Sequence, residues 1–257
     1  MLYTDRLQLE SFDTRNHAEQ IAGLIAIEEK MLHPSVENVQ ASIDFGLASY
    51  ICESGQVIAF CRFIPLFSHL QKKVLGISDD SIPDIWELGS VIVRKDMRGQ
   101  KKGQGVLRNL HLMYQKQIAD KKLLIIGTTT TRDMLAAVSH VKEFGINYSR
   151  IRHNDPKYNF IGATTCVCKP GDVKVATPTM VSYGMSYGQH ACSVRTIDPT
   201  IYNLEDRAQI NNISEGSCGM FVSDLDLASM LNSQIKEICC QLGLSIEDYA
   251  RVIGGDL

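Results

Sequence analysis

The sequence lacks several features that would define its class at once. No apolar run approaches the ~20 residues that a membrane-spanning helix needs, and the first six residues lack the basic start and apolar core of a signal peptide. The charge imbalance is small, because 26 Lys and Arg face 29 Asp and Glu, which gives −3 at pH 7. These absences argue against a transmembrane, secreted or globally cationic protein that binds nucleic acid or membranes. They favour a soluble, cytoplasmic protein.

Cysteine is also too sparse for a disulfide framework, with eight residues in 257. Without an export signal we expect reduced thiols. Two cysteine-containing motifs offer a candidate set of four zinc ligands: Cys166, Cys168, His190 and Cys192. Cys-x-Cys on a strand, however, more often places two small side chains on one face. We therefore predict no metal site.

The hydrophobic pattern predicts an α/β protein. Residues 49–52 and 57–63 read as a hairpin, and a strand over 85–93 precedes a helix over 104–121 and an apolar strand over 123–126. This strand–helix–strand unit predicts a parallel strand pair. The polar segment between residues 69 and 84 is long for a connector and suggests a functional loop.

The remainder of the chain divides near residue 170. A helix over 133–144 and a strand over 160–168 complete the first part, and residues 170–222 are rich in Gly, Ser, Thr and Tyr. Asp224 and Ser245 each begin a closing helix. We predict a domain over 1–169 and a C-terminal extension over 170–257.

One stretch carries most of the chemical information. Residues 94–108 contain six cations and one acid, Asp96, which is a local charge of +5 in an acidic chain. Three glycines, Gly99, Gly103 and Gly105, allow the backbone to approach a ligand closely. The loop ends at a helix N-terminus, where unpaired amides and the helix dipole favour an anion. The stretch therefore predicts a phosphate cradle.

Two common phosphate-binding motifs do not fit this stretch. A P-loop requires Gly-Lys-Ser/Thr, but Gly103 is followed by Gln104 and Gly105. A dinucleotide fingerprint requires a small third residue, and Arg108 stands at that position.

Residues 100–105, Gln-Lys-Lys-Gly-Gln-Gly, resemble the Gln/Arg-x-x-Gly-x-Gly/Ala signature of the GNAT N-acetyltransferase superfamily. The resemblance includes the preceding strand, the following amphipathic helix and the segment Glu143-Phe144-Gly145-Ile146, and it covers about residues 3–168. It implies a mixed, mostly antiparallel sheet with a central, splayed parallel strand pair flanked by helices. One departure is that two extra residues separate Arg98-Gly99 from the Gly-x-Gly.

The resemblance also implies a cofactor and its binding residues. The cofactor is acetyl-CoA, whose pantetheine arm would pair with the backbone of Val91, Ile92 and Val93. Its diphosphate would bind the loop residues Arg98, Gly99, Gln100, Lys101, Lys102, Gly103, Gln104 and Gly105.

Catalysis of amide formation requires a base for the amine and an acid for the thiolate. Glu87 is the candidate base, because several family members keep a glutamate at this point of the strand and its apolar neighbours would raise a carboxylate pKa. Alternatively, Glu87 faces solvent on its strand or forms an ion pair with a nearby Lys. The family's usual tyrosine position is Val141 here, so Tyr148, His140 and Tyr114 are the candidate acids, alongside direct thiolate departure, protonation by water or an inactive protein.

The sequence thus predicts an N-acetyltransferase that acetylates a primary amine of a small molecule or a protein. A related synthase with a longer acyl donor, and a non-catalytic CoA-binding or interaction module, are the alternatives. Neither the acceptor nor the oligomeric state is determined, and a homodimer is compatible with the sequence.

Overall fold

A computed structural model describes residues 14–28, 32–78, 81–129, 132–144, 146, 148–151, 157–165, 185–187, 196–197, 202–203, 217–246 and 248–249. The candidate zinc ligands Cys166, Cys168, His190 and Cys192 lie outside these residues. In the described ranges, no group of three or more His, Cys, Asp or Glu side chains could hold a metal. No described helix is long and apolar enough to cross a bilayer.

The described α-helices are α1 Thr14–Ala26, α2 Val36–Asp44, α3 His69–Val74, α4 Lys102–Met113, α5 Gln115–Ala119, α6 Arg132–Val138, α7 Asn159–Thr165 and α8 Leu225–Gln241. Two 3₁₀ helices span Lys95–Met97 and Ser139–Phe144. The strands are β1 Leu32–Pro34, β2 Ala48–Glu53, β3 Gln56–Phe67, β4 Asp84–Val93, β5 Leu123–Thr129, β6 Ser149–Ile151, β7 Met185–Tyr187, β8 Thr196–Ile197, β9 Tyr202–Asn203 and β10 Ser217–Val222.

The main sheet has the order β2-β3-β4-β5-β10-β6-β9, with β8 beside β10. Its neighbours are antiparallel except for β4–β5 and the short β8–β10 pair. The predicted hairpin and the predicted parallel pair are confirmed. The protein is therefore a mixed α/β protein with a mixed sheet, and this agrees with the expected sheet class.

Helices cover both faces of the sheet. On one face α4 buries Val106, Leu107 and Leu110 against strand residues such as Phe63 and Leu88. On the other, α8 packs Leu231 and Ile235 against residues that include Ile64, Ile85 and Ile126. The same face carries α1 and α2, which enclose Phe60 and Ile92. Away from the register shifts between β3 and β4, alternate residues of these strands therefore face one or the other of two environments.

Several predicted elements differ from the structure. The helix predicted over 104–121 begins at Lys102 and breaks at Tyr114, whose hydroxyl donates to the carbonyl of Gly46 (3.0 Å). The segment predicted as a loop over 69–84 contains α3.

The strand predicted over 160–168 is wrong, because its first residues belong to α7. Asn232 of α8 explains the difference. Its Oδ1 accepts hydrogen bonds from the amides of Phe160 (2.8 Å) and Ile161 (3.3 Å) in the first turn of α7. This contact is tertiary, so local pattern could not reveal it.

Residues from the predicted C-terminal extension contribute to the main sheet. Strand β10 lies between β5 and β6, and Asp224 caps α8 by accepting from the amide of Leu227 (2.9 Å). Ser245 and Asp248 form the predicted reciprocal cap, with the Asp248 amide donating to Ser245 Oγ (3.1 Å). The boundary near residue 170 lies outside the described residues and stays a prediction.

Candidate functional site

The parallel pair β4–β5 opens toward its carboxyl end. Its register runs from Asp84–Leu123 to Glu87–Ile126 and stops there, although both strands continue. From Leu88 onward β4 remains paired with β3, and in the described part of the chain no strand occupies its other edge. Proteins with parallel strands bind ligands where neighbouring strands separate at their carboxyl ends. The gap between β4 and β5 is therefore a candidate binding site.

A β-bulge lies at the same point of β4. The register passes from Phe60–Ile92 to Arg62–Gly89, so Ser90 and Val91 together face one residue of β3. Ser90 adopts φ +51°, a left-handed conformation that costs a non-glycine residue on the order of 1 kcal/mol. A bulge redirects the peptide groups of its strand. The bulge is not among the features predicted from the sequence, where Gly89-Ser90 inside a strand is its signal.

Residues 98–105 form the bend between β4 and α4. The chain passes through the 3₁₀ helix, turns at Gly99 with φ +79°, and enters α4 through Lys101 with φ +60°. The amide of Arg98 donates to Lys95, and the amide of Gly105 donates to Lys101 (3.0 Å). Among the described residues, none accepts a hydrogen bond from the six amides between them, at positions 99–104. This run of donors at a helix start is suited to an anion with several oxygens.

The three glycines of the loop have different roles. Only Gly99 needs its conformational freedom. A Cβ atom on Gly103 would lie 3.2 Å from Val93 Cγ2, and one on Gly105 would lie 3.4 Å from Ile51 Cδ1. These two glycines therefore allow the first turn of α4 to lie close to Val93, the last residue of β4, and to Ile51 of β2.

The tertiary structure reduces the positive charge of the loop. Arg94 pairs with Asp96 (2.7 Å), Arg98 pairs with Glu28, and Lys102 pairs with Glu53. The last two acids are 70 and 49 residues away in sequence. Six cations and three carboxylates leave a local formal charge of +3 rather than +5.

Glu87 is buried in the sheet near the last residue pair of β4 and β5, with 7% exposure. It is therefore not the solvent-facing residue of the alternative interpretation. Arg62 of β3 is its charged neighbour, since the Glu87 carboxylate raises the pKa of that guanidinium while burial lowers it to about 10. Arg62 Nη1 donates to Asn38 Oδ1 and to Ser42 Oγ (3.1 Å), both on α2.

Tyr148, a candidate acid, is also buried. Its hydroxyl lies 2.7 Å from His111 Nε2, and His111 Nδ1 lies 2.7 Å from the carbonyl oxygen of Leu107. Because a carbonyl only accepts, Nδ1 carries the proton and Nε2 accepts from the tyrosine. Burial lowers the pKa of His111 to about 4 and raises that of Tyr148 well above its usual range.

The candidate catalytic residues do not share one face of the sheet. Tyr148 packs in the apolar cluster that contains Leu88. Glu87, one position before Leu88, points to the opposite side, as Ile85 does. His140 is exposed on the second 3₁₀ helix, Tyr114 is half-buried and Val141 is buried. The assignments of Glu87, Tyr148 and His140 to catalytic roles stay predictions.

Asp79, Asp80 and Asp84 are the acids of the polar segment predicted as a functional loop, and Asp84 has a structural partner. Its Oδ1 lies 2.6 Å from Nζ of Lys72, which is 3% exposed. This ion pair ties α3 to the start of β4. Asp79 and Asp80, the other two acids, lie outside the described residues.

Fold and site together define a mixed α/β protein with an anion-suited loop beside an open parallel strand pair. No protein-family model matches the chain, and no curated protein matches it. A solved structure described as a GCN5-related N-acetyltransferase from Kribbella flavida is similar over 58% of this chain and 41% of its own, with 12% identity and a TM-score of 0.33. The chain thus spans about two-fifths of that protein's length, and at this TM-score the likeness carries no argument about fold or function.

Proposed function

We propose that the protein is an acyl-CoA-dependent N-acyltransferase that transfers an acetyl group from acetyl-CoA to a primary amine. The observation that carries the proposal is the run of six amides at positions 99–104, which follows the carboxyl end of β4, where no strand of the described residues pairs with the edge that faces β5. When these amides bind the diphosphate of acetyl-CoA, the pantetheine arm lies along the backbone of residues 91–93. The thioester then reaches the gap where β4 and β5 separate.

The reaction forms a C–N bond and breaks a C–S bond. The amine attacks the thioester carbonyl, its excess proton passes to a base, and the thiolate leaves as CoA and takes a proton from water. Glu87 is the proposed base, because it is a buried carboxyl at the last residue pair of β4 and β5, beside the Arg62 guanidinium. No proton donor is assigned to a side chain, since Val141 occupies the family's usual tyrosine position.

The proposal predicts that the loop conformation is required for binding. Gly99→Val places a β-branched residue at φ +79° and distorts the bend, so we expect at least a tenfold loss of acetyl-CoA affinity by isothermal titration calorimetry. Gly243→Val is the matched control, because Gly243 has a similar φ of +68° at the end of α8. Equal affinity of wild type and Gly99→Val, or no heat with millimolar acetyl-CoA, would contradict the proposal.

Turnover is tested separately from binding. CoA-thiol release with a panel of primary amines should fall at least about a hundredfold in Glu87→Gln, which keeps the shape of the side chain but cannot accept a proton. Glu37→Gln on the exposed surface of α2 serves as the control. Binding without release for any amine favours the alternative of a non-catalytic CoA-binding module.

A further inference from the structure

The two carboxylates that face the loop come from elements outside it. Glu53 is the last residue of β2, and its carboxylate contacts Nζ of Lys102, the first residue of α4. Glu28 follows α1, and its carboxylate contacts Nη2 of Arg98. Arg98 thus immediately precedes the run of amides at positions 99–104, and Lys102 belongs to it.

Other contacts lie beside each of these two ion pairs. Strand β2 lies next to the first turn of α4, since Ile51 Cδ1 is 3.4 Å from the point where a Cβ on Gly105 would lie. Arg98 is held at a second point, since its Nε donates to the carbonyl of Val93 (3.1 Å). Arg98 can thus release Glu28 and turn its outer nitrogen to another anion while its Nε stays bound to β4.

We infer that Glu28 and Glu53 are built-in competitors of the diphosphate, holding Arg98 and Lys102 until a phosphate ligand displaces them. The inference rests on the proposed function of the loop and adds the residues that set its affinity. Phosphate oxygens form stronger and more numerous hydrogen bonds with Arg and Lys than one carboxylate does, so exchange is favourable once the diphosphate is bound by the amides. The cost of breaking each ion pair is subtracted from the binding free energy.

The measurable consequence is that removing a competitor tightens binding. Both pairs are partly exposed, with side-chain exposures of 27% for Lys102 and 42% for Glu53, and such pairs are weak. We therefore expect Glu53→Gln and Glu28→Gln each to lower the Kd for acetyl-CoA by about two- to fivefold at low salt. The ratio should approach one at about 0.5 M NaCl, where exposed charges are screened.

Three controls separate displacement from a general change in charge. Glu37→Gln removes the same charge from a pair with Arg15 that is not part of the loop, and it should leave the Kd unchanged. On a Lys102→Met background, Glu53→Gln should no longer tighten binding. The gain should persist with dephospho-acetyl-CoA, which keeps the diphosphate, and vanish with acetyl-pantetheine, which lacks it.

The outcomes also distinguish this inference from the proposed function. If wild type does not bind acetyl-CoA, the proposed function fails first. If wild type binds and Glu53→Gln binds equally or more weakly, the carboxylates are not competitors and the inference alone is overturned. A gain that survives Lys102→Met would show direct repulsion of the ligand by Glu53 and would equally overturn it.

Discussion

Gly127 is a position where a single added methyl group should be costly. It lies on β5 directly opposite Phe221 of β10. A Cβ atom at Gly127 would lie 2.2, 2.7 and 2.8 Å from three ring carbons of Phe221, whereas ordinary contact begins near 3.4 Å. The ring must therefore move by about 1.2 Å. It cannot move freely, because Phe221 is fully buried and packs edge-on against Tyr148 at 5.4 Å between centroids.

Overpacking of this kind costs about 1–3 kcal/mol, and the lower entropy of the unfolded chain returns less than about 1 kcal/mol. We expect Gly127→Ala to lower the free energy of unfolding by about 2 kcal/mol, which corresponds to a fall in Tm of roughly 4–8 °C for a chain of this size. Urea and thermal unfolding followed by circular dichroism measure both quantities.

Two further variants make the test specific. Phe221→Leu removes the ring, so the double variant should lose less stability than the two single variants lose in sum. Gly23→Ala on α1 is the matched control: no atom lies within 4 Å of its added Cβ, and it should raise stability by up to about 1 kcal/mol. The packing argument would be refuted if Gly127→Ala were as stable as wild type. It would also be refuted if the losses in unfolding free energy of Gly127→Ala and Phe221→Leu were strictly additive in the double variant.

The remaining predictions concern a buried histidine and a strained serine. Because the folded state lowers the pKa of His111 to about 4, the unfolded chain binds a proton that the folded chain does not as the pH falls below about 6.5. His111 should therefore cost the protein up to about 3 kcal/mol of stability between pH 6.5 and 4, and His111→Leu should flatten this slope in urea unfolding series at several pH values. If the dependence of unfolding free energy on pH is the same in His111→Leu as in wild type, His111 is not buried in its neutral form in the folded protein. Ser90→Gly should raise Tm by relieving the strain of φ +51°, worth up to about 1 kcal/mol, whereas the control Ser49→Gly in β2 should lower it. A fall in Tm for Ser90→Gly would show that the bulge is not strained.

Features encoded within a few residues could be predicted from the sequence. The hairpin, the strand of Glu87, the turn at Gly99 and the caps at Asp224 and Ser245 depend on local conformational preference and on the spacing of apolar residues. The parallel pairing of β4 and β5 also followed, because a helix between two strands restricts their connection. The end of α4 could not be predicted in the same way, since Tyr114 is held by a residue on a distant loop.

The sequence by itself determined that glycines and cations meet at the start of a helix, because all of them lie within fifteen consecutive residues. Only the tertiary structure decided which distant acids meet these cations, since Glu28, which follows α1, and Glu53 of β2 pair with Arg98 and Lys102. It also decided that Glu87 and Tyr148 point to opposite faces of the sheet and that Phe160 and Ile161 join a helix capped by Asn232. Each of these outcomes depends on contacts between residues far apart in the chain, whose free energies exceed the local preferences that a sequence pattern reports.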